Sequence, residues 1–150
     1  MTPNIPPIEH PALHQRVAVS FARQGLMRHL QALLVRVAPG EVELWLPYSD
    51  RVTQQQDGFH GGAIGALADI AGGYAGLTVA PEDMEVTTAE FKINFLGSRQ
   101  GGALRAVGRV IKPGRRLIVT SAEVTHVADD GQTSACALMQ QTLVPVPRTY

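Results

Sequence analysis

Between Gln54 and Asp69 the chain reads QQQDGFHGGAIGALAD, and several of its polar groups could act on one substrate. Gly61 and Gly62 stand where a helix begins, so their backbone N–H groups lack intrahelical acceptors. With the positive end of the helix dipole, such donors suit an anion or a polarised carbonyl. Glycine also lets a ligand approach without meeting a Cβ. Gln54, Gln55 and Gln56 lie just before, with amides that could hold a water or a carbonyl oxygen. His60 reads as a capping residue at the helix start or as a base. Asp69 lies about two turns further along, among small and apolar side chains. Carboxylates are almost never fully buried without a partner, and Gly65, Ala66, Gly72 and Gly73 supply no cation one turn away. Asp69 must therefore face a cavity, solvent or another chain.

The segment 61–80 that carries these groups is long and apolar enough to be tested as a membrane span. Its apolarity comes mostly from Ala and Gly, a central Asp costs about 2.5–3.5 kcal/mol on an insertion scale, and no Lys or Arg flanks it closely. A buried helix is expected instead. Ahead of it, residues 1–11 form a proline-rich extended arm. Leu13, Val17 and Phe21 recur at fourfold spacing and predict an amphipathic helix from Ala12 to Met27, weakened near Gly25. A strand from His29 to Val37, a turn at 38–41 and a strand through Val42, Leu44 and Leu46 make a hairpin. Residues 49–58 form a polar loop.

After Pro81 the pattern turns to strands: 87–96, 104–112, 116–127 and 133–146. In the first, Ala89, Phe91, Ile93 and Phe95 share one face and alternate with Thr88, Glu90, Lys92 and Asn94. Turns at Pro113-Gly114 and Asp129-Asp130-Gly131 imply an antiparallel meander. A helix apolar on nearly every side is buried most economically by a sheet of about six strands curling around it, an α+β arrangement. Gly65, Gly72, Gly73 and Gly76 lower helix propensity but permit close backbone approach.

At 150 residues the chain reads as one domain spanning 1–150. Thirteen basic and thirteen acidic residues, with no block of one sign, argue against a nucleic-acid or anionic-membrane partner. Cys136 stands alone, so no intrachain disulfide is possible and a reducing compartment is expected. The first residues lack the pattern of a secretory signal, which points to a cytoplasmic protein. No cofactor and no metal is called for.

GFHGGAIGALADIAGGYA, together with TAEFKINFLGS and GRRLIVTSAEV, resembles the hotdog-fold acyl-CoA thioesterases, most of all the PaaI-like branch. The resemblance covers residues 25–146; its specific part is HGG, an Asp nine residues after the His, and the later T-x-x-x-K-I-N-F strand. It implies a curved antiparallel sheet around a long central helix, here with an extra N-terminal helix. It also implies homodimers with shared active sites that pair again into homotetramers. By the same resemblance, the Gly61 N–H polarises the thioester carbonyl. Asp69 of the opposite subunit is the catalytic carboxylate, Gln54 orients water or substrate, and Thr88 (or Thr87) supplies a water-orienting hydroxyl. His60 joins this set as the HGG histidine, and Gly62 adjoins it as a substrate contact. Arg115 and Arg116, with Lys112 and Arg99 nearby in type, are candidates for the CoA phosphates.

The implied reaction is hydrolysis of an aryl- or medium-chain acyl-CoA to a free acid and CoA. Asp69 would serve as general base or as a nucleophile forming a mixed anhydride. Two alternatives stand beside it: an acyl-thioester dehydratase or hydratase using His60, and a non-catalytic acyl-CoA-binding module. The short, weakly basic N-terminal segment argues against a DNA-binding regulator.

Overall fold

The computed structural model describes residues 1–97 and 99–150, with residues 1–10 as an irregular arm. The predicted N-terminal helix is two helices, α1 (Pro11–Arg23) and α2 (Gly25–Leu30). They divide at Gln24, whose backbone is extended (φ −76°, ψ 106°), next to the weak point at Gly25. Met27 and Leu30 are buried at helical spacing, so helix continues through His29 and stops at Gln31 in a left-handed conformation (φ 61°). The strand expected from His29 therefore begins later, as β1 (Leu33–Ala38), and returns as β2 (Glu41–Pro47) around Gly40 (φ 76°).

The apolar segment is α3 (Gly61–Leu77). Ile64, Leu67 and Leu77 are buried on it, and each contributes about 1.5–3 kcal/mol by leaving water. Thr78 ends the helix: its hydroxyl donates to the Ala75 carbonyl at 2.6 Å and accepts from the Gly40 N–H at 2.8 Å. No helix among the described residues is long and apolar enough to cross a membrane.

Four strands follow: β3 (Met84–Phe95), β4 (Ala103–Lys112), β5 (Ile118–Val127) and β6 (Thr133–Pro147). All pairings are antiparallel, in the order β1-β2-β4-β5-β6-β3. The meander holds for β4 to β6. β3 instead crosses to the far side of β6 and forms an edge strand. Bulges in β3, β4 and at the β5–β6 pairing add bend and twist, and the sheet curls so that β2 to β6 all contact α3. This is the expected hotdog architecture.

β4 comes so close to the helix that a Cβ on Gly108 would overlap the Ala71 carbonyl and the Gly72 nitrogen. Backbone cannot yield as a side-chain tip can. Gly108→Ala is therefore expected to lose about 3 kcal/mol, the upper end for overpacking, read as a lower urea midpoint at unchanged m.

Candidate active site

Two clusters of functional groups lie along α3. At its start, His60 adopts an extended N-cap backbone (φ −68°, ψ 136°), and its ring Nδ1 accepts the Gly62 N–H at 2.7 Å. The capping reading of His60 is thus observed, and Gly62, expected to face substrate, commits its N–H to that cap. The Ala63 and Ile64 N–H groups bond the His60 carbonyl. The Gly61 N–H has no acceptor among the described residues.

Gln54 sits in a tight turn in which the Asp57 N–H donates to its carbonyl at 2.9 Å. Its side-chain Oε1 accepts the Gln56 N–H at 2.6 Å. That leaves the Gln54 amide NH₂ free to donate. Gln54, Gly61, Ile64 and Phe95 line one open hollow of about 680 Å³.

The second cluster surrounds Asp69, which is half-buried. The Thr88 hydroxyl donates to Asp69 Oδ1 at 2.7 Å. Gln141 Nε2 donates to the same Oδ1, and lies 3.1 Å from the Asp69 backbone oxygen and 3.0 Å from Thr88 Oγ1. Behind it, the Thr120 hydroxyl donates to Gln141 Oε1 at 2.9 Å. Ion pairs among the described residues join Arg36 and Arg109 to Glu41, and Arg105 to Glu43, all away from Asp69. Neutral donors alone hold this carboxylate.

Thr88 reaches Asp69 because of a β-bulge. Strict alternation puts Thr88 on the face opposite Phe91, Ile93 and Phe95, but the pairing with β6 skips Ala89. The extra residue turns Thr88 to the helix side, together with Phe91 opposite Gln141 and Phe95 beside Gly61. Re-aiming a side chain is what a bulge does. Thr87 is exposed and outside the cluster.

Gln141 and Thr120 were not singled out in the sequence, yet a signal was there. On β6 the buried face reads Ala137, Met139, Gln141, Leu143, and on β5 it reads Ile118, Thr120, Ala122, Val124. Gln141 interrupts the apolar period-2 pattern on β6, Thr120 and then His126 interrupt that on β5, and buried polar groups need partners.

Asp69 and Thr88 open on a cleft of about 360 Å³ walled by Ile70, Val86 and Leu143. At its other end the Tyr74 hydroxyl bonds Gln24 Nε2 at 3.0 Å and Ser20 Oγ at 3.1 Å. Burial pushes the Tyr74 phenol up to about 12, so it stays neutral at physiological pH.

Gly61 and Asp69 are eight residues apart, about 12 Å along the axis at 1.5 Å per residue. The structure does not bring Arg115 and Arg116 to either cluster. Their turn lies at the C-terminal end of α3, where Val110 and Thr78 both bond Gly40. Arg99 is nearer: its carbonyl accepts the Phe59 N–H at 3.1 Å, two residues before Gly61.

A family model described as the thioesterase superfamily matches residues 58–132, the stretch from the Gly61 turn through β5. The chain belongs to the thioesterase superfamily. A protein of Saccharolobus solfataricus named as an esterase is 32% identical over 113 residues, 75% of this chain and 79% of its own. A solved thioesterase family protein from Silicibacter pomeroyi superposes with a TM-score of 0.87 at 38% identity, covering 91% of this chain and 99% of the other. The E. coli PaaI protein from the phenylacetic acid degradation operon shares the fold, with a TM-score of 0.79 at 18% identity over 91% and 95% of the two chains. With membership in this superfamily comes the general reaction, hydrolysis of an acyl thioester.

Proposed function

We propose that the protein hydrolyses aryl- or medium-chain acyl-CoA, in sites shared between two subunits of a homodimer that pairs again into a tetramer. The observation that carries this reading is the separation of Gly61 from Asp69. A reacting carbonyl must lie about 3 Å from both its oxyanion donor and its nucleophile. Two groups about 12 Å apart on one rigid helix cannot both reach it, but groups from two helices can.

The edge strand β3 suits such pairing. It is twelve residues long with one free side, and it exposes Phe91 (44%) and Phe95 (54%). Long apolar edges invite a second chain. Antiparallel pairing of two β3 strands sets the Phe95 end of one, beside Gly61, against the Thr88 end of the other, beside Asp69.

In that site the Gly61 N–H and the α3 dipole stabilise the oxyanion as the thioester carbonyl is attacked. Asp69 either takes the proton of the attacking water or attacks first, giving an anhydride that water then opens. The C–S bond breaks, CoA leaves as thiolate, and the acyl carbon gains a water oxygen. Gln54 donates its NH₂ to water or substrate, His60 fixes the turn that presents Gly61, and Arg99 faces the CoA phosphates. The acyl group occupies the cleft between Asp69 and Tyr74.

A panel of aryl and aliphatic acyl-CoAs with a thiol-release readout tests the substrate class; no release from any member would sink it. Sharing is tested with Asp69→Ala and Gly61→Pro variants, the second lacking the donor N–H. Mixed one to one with subunit exchange, half the dimers carry both chains and each has one intact site. Activity should rise to about a quarter of wild type. Verified exchange with no rise would put both groups in one chain's site.

A further inference from the structure

Building on that reading, we infer that Gln141 is a positioning residue that holds Asp69 by one carboxylate oxygen and leaves the other, Oδ2, to do the chemistry. An ionised carboxylate only accepts hydrogen bonds, through two oxygens. Both donors at Asp69, Thr88 Oγ1 and Gln141 Nε2, reach Oδ1. Oδ2 has no hydrogen-bond partner among the described residues, and Asp69 opens on the cleft. The two oxygens have been given separate tasks.

Gln141 can do this because its amide has one sense that serves both its ends. Thr120 Oγ1 donates to Oε1 on the far side, which turns the NH₂ toward Asp69 and Thr88. The reversed amide would set its carbonyl oxygen against the carboxylate. The residue is 1% exposed and Thr120 is fully buried, so water does not compete for these bonds. An amide in such a place is costly unless every polar atom is matched.

The helix is shaped around it too. A Cβ on Gly72 would overlap Gln141 Oε1 and stand 2.9 Å from Thr120 Oγ1. Three elements, α3, β5 and β6, are thus fitted to one side chain that touches no part of the Gly61 cluster.

Gln141→Met keeps the length of the side chain and removes its hydrogen bonds. With Asp69 free to turn, kcat should fall about 100-fold, the effect of a roughly 1 Å misplacement, while KM changes little because substrate binding is untouched. Thr120→Val keeps the shape and deletes the anchor of the amide; kcat should fall about 10-fold, from a smaller misplacement of the same kind, and Thr120→Ser should restore it.

If Thr120 acts only through Gln141, then Thr120→Val in the Gln141→Met background changes kcat no further. A packing role predicts the opposite pattern: a lower Tm with kcat of the folded protein intact. Wild-type kcat in Gln141→Met, or equal losses from Thr120→Val in both backgrounds, overturns the inference. A wild-type enzyme inactive on every acyl-CoA overturns the proposed substrate instead. In that case a crystal structure of Gln141→Met still decides this point: the Asp69 carboxylate should leave its present position, and an unmoved carboxylate refutes the positioning role.

Discussion

Asp69→Asn is expected to lower kcat about 100- to 10,000-fold, the range a positioned acid–base group contributes, with the fold and KM nearly unchanged. The substitution is unusually well isolated here. Asparagine retains an oxygen that can accept from Thr88 and Gln141, the two donors now on Oδ1. The NH₂ then replaces the unpartnered oxygen and nothing else. An amide nitrogen cannot take a proton from water or attack a carbonyl, so the chemistry stops while the hydrogen-bond network stays whole. Steady-state thiol release alongside a thermal melt checks both halves. Turnover near wild type would remove Asp69 from the mechanism.

The second large effect concerns a backbone atom. Gly61→Pro should reduce kcat by about 100- to 1,000-fold, the usual loss of one oxyanion donor. Proline at the first helical position is well tolerated because that N–H has no intrahelical partner and φ is already suited. The residue before it must be extended, and His60 already is, at ψ 136°. A Cβ at position 61 meets the Phe95 ring at 3.5 Å, an ordinary contact. Gly61→Ala is the companion: it adds the same Cβ but keeps the N–H, and should retain most activity. If both variants lose activity alike, bulk and not the donor is responsible.

What could be read from the chain alone follows the range of each signal. Gln54, Gly61 and Asp69 lie within one local pattern, a polar turn opening an apolar helix, and that pattern needed no long-range information. The long helix and the strands of the meander were legible for the same reason. Sequence pattern starts β1 too early because the apolar residues from Leu26 to Leu30 fit helix and strand over so short a run, and tertiary burial of Met27 and Leu30 decides it. Strict alternation puts Thr88 on the wrong side of β3, since it has no way to register an inserted residue.

Gln141 is harder still. It is 72 residues from Asp69, and its pairing with the helix depends on β3 and β6 meeting at the far edge of the sheet. No tight turn joins β3 to β4, so no local rule assigned that edge. Arg115 and Arg116 are apt for phosphates by type, but within one chain their turn lies at the other end of the helix from Gly61, so only a neighbouring subunit could bring them to a site.

Ala89 has no functional group at all. It is exposed and is passed over by the pairing with β6. Its presence nonetheless fixes the parity of the whole strand, allowing a hydroxyl on one side of it and aromatic rings on the other to point the same way. Without it, either the half of β3 that serves Asp69 or the half that lies beside Gly61 would face outward. In this enzyme the proposed catalytic arrangement hangs on how many residues are counted, where any small side chain would fill the place.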